Sequence, residues 1–142
     1  MAENVIIDWA RFSNMNEAVR SDVSETPCVY VIADEEKKGL YIGRATDGIK
    51  KRYWGGDASS YSAAMHGSRN SIFLGIPDSP ESLDDVEVFL IAAEDTATGG
   101  RYPVFNKERY HDRAKSVSLK LDHRGDAPYF HYTRVGIGRF VT

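Results

Sequence analysis

Hydrophobic and polar positions along this chain cluster or alternate with periods that suggest its elements. Over residues 5–20 (VIIDWARFSNMNEAVR), Val5, Ile6, Trp9 and Phe12 fall at near-helical spacing. That predicts a helix or helix pair, with Asn14 or Asn16 capping the second helix. Thr26-Pro27 ends the pattern, because the residue before a proline avoids the α region. Residues 28–33 (CVYVIA) are an apolar, β-branched run of strand length. After the charged turn DEEKKG, with Gly39 able to take positive φ, LYIGRA at 40–45 reads as the returning strand of a β-hairpin. Thr46 or Asp47 then caps a short helix that Gly55-Gly56 stops, and a further short helix is predicted near 61–66. PDSPESLDD at 77–85 reads as an acidic, turn-rich loop, and VEVFLIAA at 86–93 as a strand. SVSLKLD (116–122) and YFHYTRV (129–135) alternate on either side of HRGDAP, which predicts a C-terminal hairpin.

The resulting expectation is an α+β fold, a central antiparallel or mixed sheet flanked by helices. Residues 1–142 form one domain with a core over 27–107, an N-terminal helical extension over 1–26 and a basic hairpin over 108–142. With 142 residues, 42% of them hydrophobic and 27% charged, the chain has the mix of an ordinary globular domain. A chain of this size buries about 68–70% of its unfolded surface and needs neither disulfide nor metal to fold. Its longest wholly apolar run, Val88 to Ala93, falls far short of the roughly 20 residues of a membrane helix. Glu3 and Asp8 precede any basic residue, unlike the start of a signal peptide. Cys28 is the one cysteine, which excludes an internal disulfide and a multi-cysteine zinc site. The expected compartment is the cytoplasm, with no membrane partner.

Charge is segregated. Residues 1–36 carry −6, residues 37–69 carry +5, residues 70–100 carry −7 and residues 101–142 carry +5, for a net −3. If the two basic blocks meet in space, they form an anion-binding surface on an acidic protein.

The chemistry gathers around Tyr30 in Cys28-Val29-Tyr30 and Tyr41 in Tyr41-Ile42-Gly43, 11 positions apart, with Arg52 a further 11 on. Downstream stand Glu94 and Pro103-Val104-Phe105-Asn106, with 12 positions from Glu94 to Asn106. In this order the chain resembles the GIY-YIG nuclease family, including the incision domain of the bacterial excinuclease and small restriction endonucleases, over residues 27–107. Cys28-Val29 stands where the family has Gly-Ile. Gly55-Gly56 stands where a histidine often lies, and His66 is a candidate substitute.

The resemblance implies a metal-dependent endonuclease that hydrolyses phosphodiester bonds, DNA favoured over RNA, with Mg²⁺ (or Mn²⁺) held by Glu94. Glu87, Asp95 and Glu108 are the alternative carboxylates. It also implies Tyr30 as base for the attacking water, Tyr41 as the group orienting that water or touching phosphate, and Asn106 as a support. A homodimer is possible in this family.

The chemistry independently asks for these residue types. Mg²⁺ is content with one or two protein carboxylates. The Arg52 fork matches phosphate oxygens. A tyrosine acting as base needs cations nearby, and Arg44, Lys50 and Lys51 are available. Arg101, Lys107 and Arg109, interleaved with Tyr102 and Tyr110, are the materials of a nucleic-acid platform. The rival readings are a nucleic-acid-binding module without catalysis and an unrelated α+β interaction domain.

Overall fold

A computed structural model of the chain describes residues 3–55 and 70–131. The expected helix near 61–66, His66 and most of 129–135 lie outside the described residues. Among the described residues five strands form one mixed sheet: β1 (Glu3–Phe12), β2 (Cys28–Ala33), β3 (Gly39–Ala45), β4 (Ser71–Pro77) and β5 (Leu119–Gly125), in the order β3-β2-β4-β1-β5. The helices are α1 (Met15–Arg20), α2 (Ile49–Gly55), α3 (Leu83–Ala97) and the single turn α4 (His111–Ala114); a 3₁₀ turn, Pro80–Ser82, leads into α3. The fold is α+β, as expected. Among the described residues no helix is long and apolar enough to cross a membrane.

Residues 5–12 are a strand rather than a helix. Val5, Ile7 and Trp9 alternate into the core, and β-branched residues suit a pleated surface better than a helix turn. The N-terminal segment is therefore no extension: β1 pairs antiparallel with β4 and parallel with β5. Its following helix is capped as expected, with Asn14 Oδ1 accepting the Glu17 N–H at 2.9 Å while Glu17 Oε1 accepts the Ser13 N–H at 3.3 Å.

The β2–β3 hairpin forms where the alternation puts it. In its turn Lys37, not Gly39, takes positive φ (67°), because Asp34 Oδ1 accepts the N–H groups of Glu36 and Lys38, both at 2.9 Å. β4 has no counterpart among the expected strands.

Residues 86–93 are helical, the reverse of the expected strand. A short apolar run fits a buried helix as well as a buried strand. Here Asp84 and Asp85 in the first turn favour the helix dipole, and the Pro80 turn starts it. At its end Thr98 Oγ1 donates to the Glu94 carbonyl at 2.7 Å, and Gly99 and Gly100 take positive φ. Of the expected C-terminal hairpin, only the first strand and residues 129–131 are among the described residues. β5 pairs with β1, and Tyr129 makes an isolated parallel bridge to Lys38 at the β2–β3 turn.

The sheet is covered on both faces. α3 packs on Val29, Val31, Ile42 and Phe73, whereas α1 and α2 pack on Cys28, Tyr30, Ile32 and Leu74. Cys28 is buried, which pushes its thiol up to about 12 and leaves it a small unreactive hydrophobe.

Candidate active site

The site grows from the β2–β3 register. Tyr30 lies directly opposite Gly43, and its ring fills the space above that glycine: a Cβ at 43 would stand 2.6 Å from Tyr30 Cζ and Oη. Tyr41 shares this face, its ring centroid 6.0 Å from that of Tyr30 at 40°. Gly48 (φ +95°) makes the turn into α2, where a Cβ would meet the Ser24 carbonyl oxygen at 2.4 Å. Its position lets the Lys50 N–H reach the Ser24 carbonyl at 3.0 Å, which aims α2 so that Arg52 Nε donates to Tyr30 Oη at 3.5 Å.

Tyr30 is completely buried. Burial raises its pKa above the usual tyrosine value, Tyr41 adds to the rise, and Arg52 opposes it. Arg52 in turn is held above its ordinary value chiefly by the hydrogen bond to Tyr30.

Asn106 acts on the edge of β3. Its Oδ1 accepts the Ile42 N–H and its Nδ2 donates to the Ile42 carbonyl, both at 2.8 Å, while the Phe105 N–H donates to the Leu40 carbonyl at 2.8 Å. The side chain thus stands in for a neighbouring strand, the supporting role expected of it.

Strand alternation sends Arg44 to the opposite face from Tyr41. Its guanidinium contacts Asp84 and lies 4.0 Å from Glu87, both on α3; Arg113 of α4 also contacts Asp84. The two basic blocks of the sequence therefore meet, with the acidic block between them. Glu87 is raised above the ordinary carboxylate value by burial, against the lowering influence of Arg44, Arg113 and Arg52. Tyr110, with a left-handed backbone (φ 59°), stands beside them with the Arg113 guanidinium 5.4 Å from its ring centre. Burial first, then the Glu87 charge, raises its pKa.

These two faces meet around the end of β3 in one cavity of about 490 Å³. Tyr41, Arg44, Lys51, Arg52, Glu87 and Tyr110 line it, together with Asp47, which pairs with Lys51 at 3.4 Å. Among the described residues three cations thus face two carboxylates.

Several expected residues stand elsewhere. Glu94 does not line the cavity. It sits two turns farther along α3, roughly 10 Å at 1.5 Å per residue. It is 1% exposed and accepts the His131 backbone N–H at 2.6 Å, with His131 Nδ1 at 2.8 Å. Glu94 is thus enclosed by the fold rather than turned toward the cavity. Of the alternatives, Asp95 is engaged by Arg109 and His111, and Glu108 accepts the N–H groups of Arg109 and Tyr110. Glu87 is the candidate that reaches the cavity. Lys50, Arg101, Lys107 and Arg109 are not among its lining; Arg101 Nε donates to the Thr98 carbonyl.

Among the described residues no group of three or more His, Cys, Asp or Glu side chains could hold a metal ion. One carboxylate beside an open cavity nonetheless fits Mg²⁺, which keeps most of its waters. A search of protein-family models, of curated proteins and of solved structures finds no match to the chain.

Proposed function

We propose that the chain is a metal-dependent endonuclease hydrolysing phosphodiester bonds in nucleic acid, with DNA preferred to RNA, in the manner of the GIY-YIG nucleases. One observation carries the reading: Tyr41 from the edge strand, Arg52 from a helix on one face and Glu87 from a helix on the other line a single cavity.

Arg52 offers its fork to two phosphoryl oxygens. Tyr30, sealed behind it, positions that fork; burial disfavours the phenolate a base would need, so the role of base does not fall to Tyr30. Tyr41, which does face the cavity, orients the attacking water. Arg44 and Lys51 draw the phosphate inward. Glu87 would hold Mg²⁺ or Mn²⁺, which supplies Lewis-acid neutralisation of the phosphoryl oxygens when bound. The same reading sets the chain at work in the cytoplasm, as a monomer or a homodimer.

One observation favours a second reading, nucleic-acid binding without cleavage: Glu87 already has an internal cation, Arg44, beside it. The experiment offers supercoiled plasmid, single-stranded DNA and structured RNA to the protein with Mg²⁺ or EDTA. Catalysis predicts cutting that EDTA abolishes and that Arg52→Ala slows on the order of 10²–10³-fold. Retention without cutting supports the binding module, and neither cutting nor retention overturns both.

A further inference from the structure

A second cavity of about 500 Å³ adjoins the first and shares Arg44 and Thr46 with it. Its remaining walls have a different character. Pro27, Pro80 and the almost fully buried Leu83 supply aliphatic surface, and the carboxylates of Glu81 and Asp84 stand beside it. The chain explains the location. Pro27 immediately precedes β2, Pro80 opens the 3₁₀ turn and Leu83 begins α3, so the cavity is the gap between the foot of β2 and the start of that helix. Asp84 is engaged by Arg44 and Arg113, whereas Glu81 is exposed and makes no ion pair among the described residues.

We infer that this second cavity is a nucleobase slot beside the phosphate site, selective for a base that carries an exocyclic amino group. The inference rests on the phosphate-binding reading of the first cavity. A base packs its faces on apolar surface, and two prolines and a leucine provide it. A carboxylate at the rim accepts from an amino N–H, as acidic side chains do from cytosine N4, and repels the carbonyl that uracil or thymine presents at the same position. Arg44, the shared wall, serves both halves of a nucleotide, because a guanidinium pairs with phosphate and stacks on a ring. The volume lies within the range of small-molecule sites. A base can enter the slot only if it is unpaired, so the preferred substrate presents a single-stranded or extruded nucleotide beside the bond that is cut.

Two mononucleotides that differ at one position test this. dCMP and dUMP share sugar and phosphate and differ in an amino group against a carbonyl. Calorimetry on the full chain should find dCMP bound about tenfold more tightly, the lower part of the range for a good base-edge contact. The Leu83 methyl resonances should move with dCMP and stay in place with deoxyribose 5-phosphate. Glu81→Gln, an exposed change that spares the fold, should bring the ratio of the two affinities close to one, because an amide also donates to the carbonyl. Equal affinities in the wild type, or Leu83 methyls that no nucleotide moves, would overturn the slot. The readout is independent of cleavage: selective dCMP binding by a protein that cuts nothing removes the catalytic reading and leaves the slot standing. Mg²⁺-dependent cutting with no dCMP preference does the reverse.

Discussion

Replacing Gly43 by alanine sets two physical effects against each other. Backbone reasoning alone says the change stabilises: Gly43 is not among the glycines with positive φ, and alanine in a compatible conformation gains about 0.4–1 kcal/mol through the unfolded state. Packing says the opposite. The new Cβ would lie 2.6 Å from Cζ and Oη of Tyr30 and 3.0 Å from its Cε1. The ring has no room to swing aside, because Tyr30 is fully buried in the cluster that holds Met15, Ile32 and Ile49. Overpacking a core of this kind costs about 1–3 kcal/mol, so the net expectation is a loss of about 1–2 kcal/mol. Displacing the ring also draws Oη away from Arg52, so under the proposed function cleavage should fall further than the stability loss explains. The assay is urea denaturation of wild type, Gly43→Ala, Tyr30→Leu and the double variant. Leucine removes the ring atoms that the new Cβ meets, so in that background Gly43→Ala should become neutral or stabilising, with a coupling of about 1 kcal/mol or more. Additive effects, or a Gly43→Ala that stabilises the wild type, would refute the reasoning.

Three further outcomes follow from the geometry. Asn106→Ala leaves the Ile42 N–H and carbonyl without their partner at the edge of β3, and should cost about 2–3 kcal/mol in urea with faster hydrogen exchange at the Ile42 amide. Glu94→Ala removes the buried acceptor of two His131 contacts and should cost about 3 kcal/mol while leaving the Mg²⁺ dependence of cleavage intact; loss of the metal response in this variant instead of in Glu87→Gln would return the metal site to Glu94. Glu87 titrates above its ordinary value in the fold because it is buried, so its contribution to stability is complete below the unfolded carboxyl range and is lost as pH rises through the raised value. Glu87→Gln should therefore gain in urea midpoint over wild type between pH 4 and pH 7, and a difference that stays constant with pH contradicts the burial argument.

The sequence made the β2–β3 hairpin legible because local signals agreed there: an apolar run, a polar turn and a second run of matching length. It misled at 5–12 and 86–93, and the two errors mirror each other. Val5 and Trp9 fit a helical period with Ile6 and a strand period with Ile7, and the choice falls to β4 and β5, which are distant in sequence and supply the pairing. Val86 to Ala93 is buried on nearly every side, so the polar face that would reveal its 3.6-residue period is absent. The pairing of β5 was hidden for a related reason. Alternation shows that a strand exists but not every strand it joins, and β5 pairs with β1 at the far end of the chain.

The ambiguity at 86–93 also bears on which glutamate faces the cavity. Read as a strand, that stretch leaves Glu87 as an alternative to the carboxylate at family spacing. Read as a helix, it makes Glu87 the fifth residue of α3, opposite β3. The arrangement then follows from a single strand lying at the edge of the sheet. Alternation directs Tyr41 and Gly43 to the α2 face and Ile42 and Arg44 to the α3 face. In the middle of a sheet those two sets would never share a solvent space. At an edge they do, provided that the outer rim is not filled by another strand. Asn106 and Phe105 satisfy that rim over Leu40 and Ile42 with one side chain and one backbone N–H. A full strand there would have extended the sheet past β3 and walled Arg52 off from Glu87. The asparagine is thus as necessary to the cavity as the groups that line it, because it finishes the hydrogen bonding of β3 while leaving the end of the strand open.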